Sequence, residues 1–372
     1  MPSHPGRRWT VRAALLITLL GAVTACGVDQ PPPAARPAQA PALAPLVAGY
    51  LTGWKTVDDL DHHADLLTHL VYAFGGVAGG RCTAPAGHDR AITQLREVKT
   101  RHPELKVLWS FGGWNGSAGF TAAARDPAAF AASCRALLDD PRWTGVFDGI
   151  DIDWEYPNAC GRTCDTSGPG ALARLTGALR AAFGPDRLVT AAVTGDASTA
   201  GKADYARAVA PLDWAMVMTY DYFGTGSPKG PTAPHSPLTG YPGIPRPDAT
   251  ASAAIGAYTS LGIPARKLLL GVGFYGRGWT GVSGAEPGAT ASGLPRPRDY
   301  RVLRETCPPT GRVGGTAYAA CGDEWWSYDT PETISTKMAY ARRTGLGGAF
   351  AWELAGDSAD GELLTAMAAG LK

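Results

Sequence analysis

From Leu46 onward the chain alternates two kinds of segment. Short apolar runs rich in β-branched and aromatic residues lie at 46–54, 69–74, 106–112, 149–155, 188–195, 214–221, 267–276 and 347–354. Between them, Ala/Leu/Arg-rich stretches with helical spacing occupy 88–101, 127–139, 169–183, 249–261, 332–344 and 360–369. Most of the apolar runs are continuous rather than alternating, as suits parallel strands covered on both faces. Eight such strand and helix units predict an α/β chain folded as a (β/α)8 TIM barrel. The competing arrangement, a doubly wound open sheet, would want GxGxxG or GxxxxGK[ST] after an early strand. Neither occurs, and SFGGWNG (110–116) has the glycines without the spacing. Two connections are long, 222–247 after the sixth strand and 277–330 after the seventh. Both are expected as loops shaping a cleft in a single domain over 46–372, with no second core.

Composition narrows the partners. The 372 residues carry 34 Lys plus Arg against 33 Asp plus Glu, a net charge of +1, so no polyanion footprint exists and a nucleic-acid partner is not expected. With 48 glycines, 30 prolines and 11 tryptophans, a loop-rich fold with large aromatic surfaces is expected.

The N-terminus has a different role. Arg7, Arg8 and Arg12 precede an apolar stretch from Ala13 to Val23 that ends in VTAC (23–26), the pattern of a signal peptide too short to span a bilayer. It resembles a bacterial lipoprotein signal, in which residues 1–25 are removed and Cys26 carries lipid. An ordinary secretory signal, or a twin-arginine one suggested weakly by GRRW, is the alternative. Residues 26–45, rich in Pro and Ala, cannot bury a core and predict an extended tether. Export follows, either to a lipid anchor at the outer face of the cell membrane or into the medium. Six cysteines remain beyond Cys26, an even number for an oxidising compartment. Of fifteen formal pairings, loop closure favours Cys160 with Cys164 and Cys307 with Cys321, leaving Cys82 with Cys134. No CxxC pair or Cys/His cluster has zinc spacing, so neither a metal nor a cofactor is expected.

The candidate chemistry lies in DGIDIDWEYP (148–157). On a strand, positions two apart share a face, about 6.6 Å per step, so Asp151, Asp153 and Glu155 form one inward row while Ile150, Ile152 and Trp154 face the helices. Barrel strands open into the active site at their C-terminal ends, which places Glu155 nearest a substrate. Closely spaced carboxylates in a low-dielectric interior cannot all ionise, so the row should share a proton and keep one member protonated near neutrality. A general acid needs such a proton. The alternative, acids paired with a core Arg or with backbone, gives no reason for three in a row.

These residues resemble the DxxDxDxE signature of family 18 glycoside hydrolases, the chitinase family, filled here by Asp148, Asp151, Asp153 and Glu155. Further motifs follow in order at expected strand ends: SFGGW (110–114), MTYDY (218–222), FYGR (274–277) and AWEL (351–354). The resemblance implies a hydrolase of β-1,4-linked N-acetylglucosamine, a partner that would be chitin or its oligosaccharides, acting as a monomer. It implies that Glu155 protonates the leaving oxygen while the substrate's own N-acetyl group attacks, with retention of configuration. Asp153 would orient the acetamido group, Asp151 would accept or share the proton that lets Asp153 turn, and Tyr220 would bond the acetamido carbonyl. Asp221 would serve the same sugar. Trp352 would floor the cleaved sugar, Trp114 would stack on the leaving side, and Tyr50, Phe74, Met218, Tyr275 and Arg277 would line the pocket. Trp54, Trp143, Trp214, Trp279, Trp325 and Trp326 are expected to pack the core. The seven histidines form no cluster at an expected strand end and are read as surface or loop residues.

Compared with the α+β subdomain that many family members insert after strand seven, the segment here is shorter and its Gly/Pro-rich start lacks strand patterning. A shallower, more open cleft and internal cutting are therefore expected. No separate carbohydrate-binding module is read, so crystalline chitin should be attacked less well than soluble oligomers. An endo-β-N-acetylglucosaminidase acting on N-glycan cores would share the acids. A chitin-binding lectin would typically have lost Glu155.

Overall fold

The computed structural model describes residues 44–372, except 56, 58 and 59. The signal peptide, Cys26 and the tether up to residue 43 lie outside the described residues. Eight parallel strands, β1 (Leu46–Thr52), β2 (His69–Ala78), β3 (Lys106–Gly112), β4 (Gly149–Asp153), β5 (Leu188–Thr194), β6 (Ala215–Met218), β7 (Leu268–Gly273) and β8 (Gly348–Trp352), pair in chain order. β1 also pairs with β8, which closes the expected barrel. All six expected helices form, the longest being Asp89–Arg101, Ala171–Phe183 and Pro331–Arg343. Local chemistry sets their starts. Thr330 accepts from the Thr333 amide while the Thr333 hydroxyl accepts from the Thr330 amide, a capping box with Pro331 in the first turn, where its missing N–H costs nothing.

The apolar side chains sort into separate layers. Ile150, Ile152 and Trp154 join the shell between strands and helices, with residues such as Leu175, Leu179 and Trp109. Ala48, Tyr50, Met216, Met218 and Phe350 fill the barrel interior. Cysteines pair as loop closure favours: Cys82 with Cys134, Cys160 with Cys164, and Cys307 with Cys321.

The connection after β7 differs from expectation. The run read as 267–276 is two strands: β7 ends at Gly273, and Tyr275–Thr280 belongs to a second, five-stranded antiparallel sheet with Glu324–Tyr328, Thr316–Cys321, Gly311–Val313 and Arg298–Asp299. With the helix Tyr300–Thr306 this makes an α+β insertion with a small core of its own, including Trp279, Tyr318 and Trp325. Its strands escape a search for alternation because both faces are covered: Trp325 and Trp326, successive residues on opposite faces, are both fully buried. The Gly- and Pro-rich start that lacks strand patterning is the loop of residues 281–297, between the first insertion strand and the others. An α+β insertion is thus present after β7, which removes the missing strand pattern as a reason to expect a shallow, open cleft. Among the described residues, no helix is long and apolar enough to cross a membrane.

Candidate active site

The register of the barrel puts polar side chains side by side. Asp151 on β4 lies level with Ser110 on β3 and Thr190 on β5. Both hydroxyls donate to it, Ser110 to Oδ2 at 2.7 Å and Thr190 to Oδ1 at 2.7 Å. Tyr50 reaches across from β1 and adds a third donor to Oδ2 at 2.9 Å. Burial raises the Asp151 carboxyl above its usual range, and these three hydrogen bonds oppose that shift by favouring the anion.

Asp153, one step nearer the mouth, has the opposite surroundings. It is buried, and its Oδ1 meets no hydrogen-bond donor among the described residues. Burial, and then the charges of Glu155 and Asp151, push its carboxyl well above the ordinary carboxylate range. The backbone around it is tightly packed. Gly112 and Gly113, both at positive φ, end β3. A Cβ on Gly112 would stand 2.2 Å from the Asp153 carbonyl oxygen, to which the Gly113 amide donates at 2.8 Å. The double glycine of SFGGW thus allows β3 to close on β4.

Glu155 lies two residues past the end of β4, joined to Tyr156 by a cis peptide. Its amide donates to the Ser117 hydroxyl at 2.8 Å, and that hydroxyl donates to the Gly113 and Asp153 carbonyls. Burial pushes the Glu155 carboxyl up to about 7; a hydrogen bond from Tyr156 opposes this and the charge of Asp221 adds to it. Tyr220, just beyond β6, faces these acids. Burial raises its phenol well above the ordinary value, and the charges of Tyr275, Asp153, Glu155 and Asp221 raise it further.

Asp221 is held from the insertion side. Tyr275 donates to Oδ1 at 2.6 Å, and Arg277 forks onto both oxygens at 2.8 and 2.5 Å. Burial would raise its carboxyl, but His235 and Arg277 outweigh burial and hold it well below the usual range. His235 lies in a loop, within the reading of the histidines as surface or loop residues, but not at the surface. It is fully buried, with Nδ1 3.7 Å from Asp221 Oδ1 and its ring 5.1 Å from that of Tyr275. His63 and His69 are buried too, in a helix and in β2, and depart from the surface-or-loop reading.

The aromatic residues form a continuous wall. The Trp352 ring is 5.1 Å from Tyr50 and stacks at 5.7 Å on Phe74, which lies 6.2 Å from Trp54. Met218 closes the barrel interior beneath. Trp114 is 49% exposed and Trp54 63% exposed, whereas Trp143, Trp214, Trp279, Trp325 and Trp326 are buried as expected. Trp54 therefore corrects its own reading: it lies two residues past the end of β1, as Trp114 lies two past the end of β3, and its position past a strand end was the available signal. Thr190, Ser110 and Ser117 were also passed over as functional residues. The first two could have been found as polar residues at inward positions of the strands flanking Asp151.

The arrangement offers a protonatable acid at the barrel mouth, a second buried carboxyl behind it, a phenol opposite and an aromatic wall. The sequence profile of Glycosyl hydrolases family 18 matches residues 46–357. Chitinase 63 of Streptomyces plicatus is 51% identical over 343 residues, covering 83% of this chain and 56% of its own length. Chitinase C of Streptomyces lividans is 52% identical over 333 residues, 80% of this chain and 54% of its own. The chain thus spans about half the length of these curated relatives. The solved catalytic domain of a psychrophilic chitinase B from Arthrobacter TAD20 superposes with a TM-score of 0.78 at 25% identity, covering 88% of this chain and 95% of that one.

Proposed function

The chain belongs to glycosyl hydrolases family 18, and on that premise we propose that it is a chitinase, cleaving β-1,4-linked N-acetylglucosamine polymers and oligomers with retention of configuration. The observation that carries the reading is the pair of buried carboxyls Asp153 and Glu155 at the mouth of β4, both raised by burial and facing Tyr220.

Most glycosidases need two carboxylates, one as acid and the other as nucleophile or base; this family is a known exception that uses its substrate. Glu155, with a carboxyl near 7, delivers a proton to the glycosidic oxygen as the bond to the anomeric carbon breaks. The acetamido oxygen of the same sugar attacks that carbon and gives a bicyclic oxazolinium. Water, deprotonated by Glu155, then opens the ring. Asp153 accepts from the acetamido N–H and balances the positive charge, and Tyr220 donates to the acetamido oxygen. The three donors on Asp151 favour its anion, so the proton shared within the row rests on Asp153 at first; Asp151 accepts it as Asp153 turns toward Glu155, leaving Asp153 the carboxylate that faces the acetamido group. Trp352 floors the cleaved sugar and Trp114 the leaving side, because indoles match the apolar faces of pyranose rings.

Incubation with chitotetraose and, separately, with a high-mannose glycopeptide tests the substrate. Cleavage of the first alone is expected; cleavage of the glycopeptide alone would replace the proposal with an endo-β-N-acetylglucosaminidase. A Glu155→Gln variant should lose about 10²-fold or more in kcat, and one keeping most of its rate would sink the mechanism.

Residues 46–372 form the catalytic domain in this reading, acting as a monomer. The signal-like residues 1–25 and the Pro/Ala-rich stretch 26–45 support export with a lipid on Cys26. Radiolabelled palmitate should mark the wild-type chain, and Cys26→Ala should abolish the label.

A further inference from the structure

Trp54, the most exposed aromatic residue on the cleft wall, is followed by a lysine whose contacts span three parts of the fold. Lys55 Nζ lies 2.5 Å from Oε1 of Glu353 and donates to Oδ1 of Asp299 at 2.8 Å. Glu353 directly follows Trp352 and β8, and its other oxygen accepts from the Thr52 hydroxyl, at the end of β1, at 2.8 Å. Asp299 belongs to the insertion, where it pairs with Tyr275. One ammonium group therefore joins the loop carrying Trp54 to the strand end carrying Trp352 and to the sheet carrying Tyr275.

We propose that Lys55 is a positioning residue that sets Trp54 in line with Phe74 and Trp352, and so fixes how many sugar units the cleft grips on that side. Lys55 touches no substrate; it acts through Trp54. Among its partners Glu353 is buried, with a side chain only 8% exposed, whereas Lys55 is 35% exposed. Burial disfavours the ammonium, yet the hydrogen bonds to Asp299 and Glu353 outweigh it and raise the Lys55 pKa. A pair of this kind contributes modestly to stability and strongly to geometry, because both carboxylates converge on one point. Among the described residues Trp54 has one ring contact, with Phe74, and it is 63% exposed, so that packing alone does not fix its direction.

The inference rests on the chitinase reading, since its readout is the grip on N-acetylglucosamine oligomers. The test compares wild type, Lys55→Met, Trp54→Ala and the double variant on chitobiose and chitohexaose derivatives carrying the same chromogenic leaving group. Lys55→Met should raise KM for the hexamer about three- to tenfold, with kcat kept within about twofold and the dimer unaffected. In the Trp54→Ala background it should add nothing. Asp299→Asn, which retains the pairing of Lys55 with buried Glu353, should show a smaller rise in the same direction. The clamp is overturned by an unchanged hexamer KM, by a loss confined to kcat, or by equal effects of Lys55→Met in both backgrounds. A wild-type chain inert toward both oligomers would overturn the chitinase reading itself, and the clamp with it.

Discussion

Tyr50, on β1, donates its phenolic hydrogen to Asp151, on β4, across 2.9 Å of barrel interior. With Ser110 and Thr190 it leaves Asp151 three donors, while Asp153 above it has an oxygen with none among the described residues. Both carboxyls are raised by burial, but the strands beside them supply hydrogen bonds that oppose the shift at Asp151, while the charges of Glu155 and Asp151 add to it at Asp153.

Tyr50→Phe removes one donor and keeps the packing. The Asp151 anion loses a hydrogen bond worth about 1.5 kcal/mol, so its carboxyl should titrate higher and compete with Asp153 for the shared proton. The expected result is a kcat about tenfold lower and an acidic limb of the pH profile displaced to higher pH. A pH–rate series on both enzymes checks this, and superimposable acidic limbs would refute it.

Glu155 gives the other limb. As the proposed general acid it would work when protonated, so kcat/KM should fall as pH rises through about 7. The same shift bears on stability. The folded-state carboxyl titrates above its unfolded value, so its contribution is fully present below the unfolded value and is lost as pH rises to about 7. Glu155→Gln cannot ionise. It should match wild type at pH 4 and exceed it by at most about 3 kcal/mol at pH 8. Thermal melts at the two pH values measure the difference, and a constant offset between them would contradict the assignment.

Trp54→Ala removes the outermost indole of the aromatic wall. Binding of an oligomer long enough to reach it should weaken by about 1–2 kcal/mol, and that of a disaccharide should not change. Calorimetric titration of chito-oligomers of increasing length into the Glu155→Gln background, where cleavage is suppressed, reads this directly. Equal losses at every length would place Trp54 outside the cleft.

The barrel was legible because continuous apolar runs of strand length, separated by helical stretches, have few other solutions. The row of acids was legible because the strand period is two and ionisable groups are rare in such runs. Glu155 nonetheless lies past the last ladder position and not on the strand itself. What escaped was set by tertiary contact. Whether Trp54 packs or faces solvent depends on neighbours from β2 and β8, about which its own segment carries no signal. His235 looks like any loop histidine until the insertion covers it. The insertion strands were hidden because burial on both faces erases alternation. Lys55 became visible only when Glu353, 298 residues away along the chain, came to 2.5 Å.

Where the insertion rejoins the barrel, Asp329, just past the strand Glu324–Tyr328, and Lys337, on the helix Pro331–Arg343, form the most deeply buried ion pair among the described residues. Lys337 Nζ meets Asp329 Oδ2 at 2.5 Å, with side chains 1% and 0% exposed, and Ser236 and Thr333 complete the hydrogen bonds of the carboxylate. Burial lowers the Lys337 pKa, and Asp329 alone opposes that shift. Asp329→Ala would leave the ammonium buried and unpaired, a loss of about 3–5 kcal/mol, seen as a fall of roughly 5–10 °C in Tm at neutral pH. Without its partner, Lys337 has a folded-state pKa below its unfolded one, so stability should recover as pH rises toward about 10. Replacing both residues, Asp329→Leu with Lys337→Met, should restore most of the loss, since matched apolar groups fill the space without a desolvated charge. Melting curves of the three proteins between neutral pH and pH 10 decide the matter. A deficit that does not shrink with pH, or a double variant as unstable as Asp329→Ala, would mean that packing of the carboxylate, rather than the charge it neutralises, holds this region together.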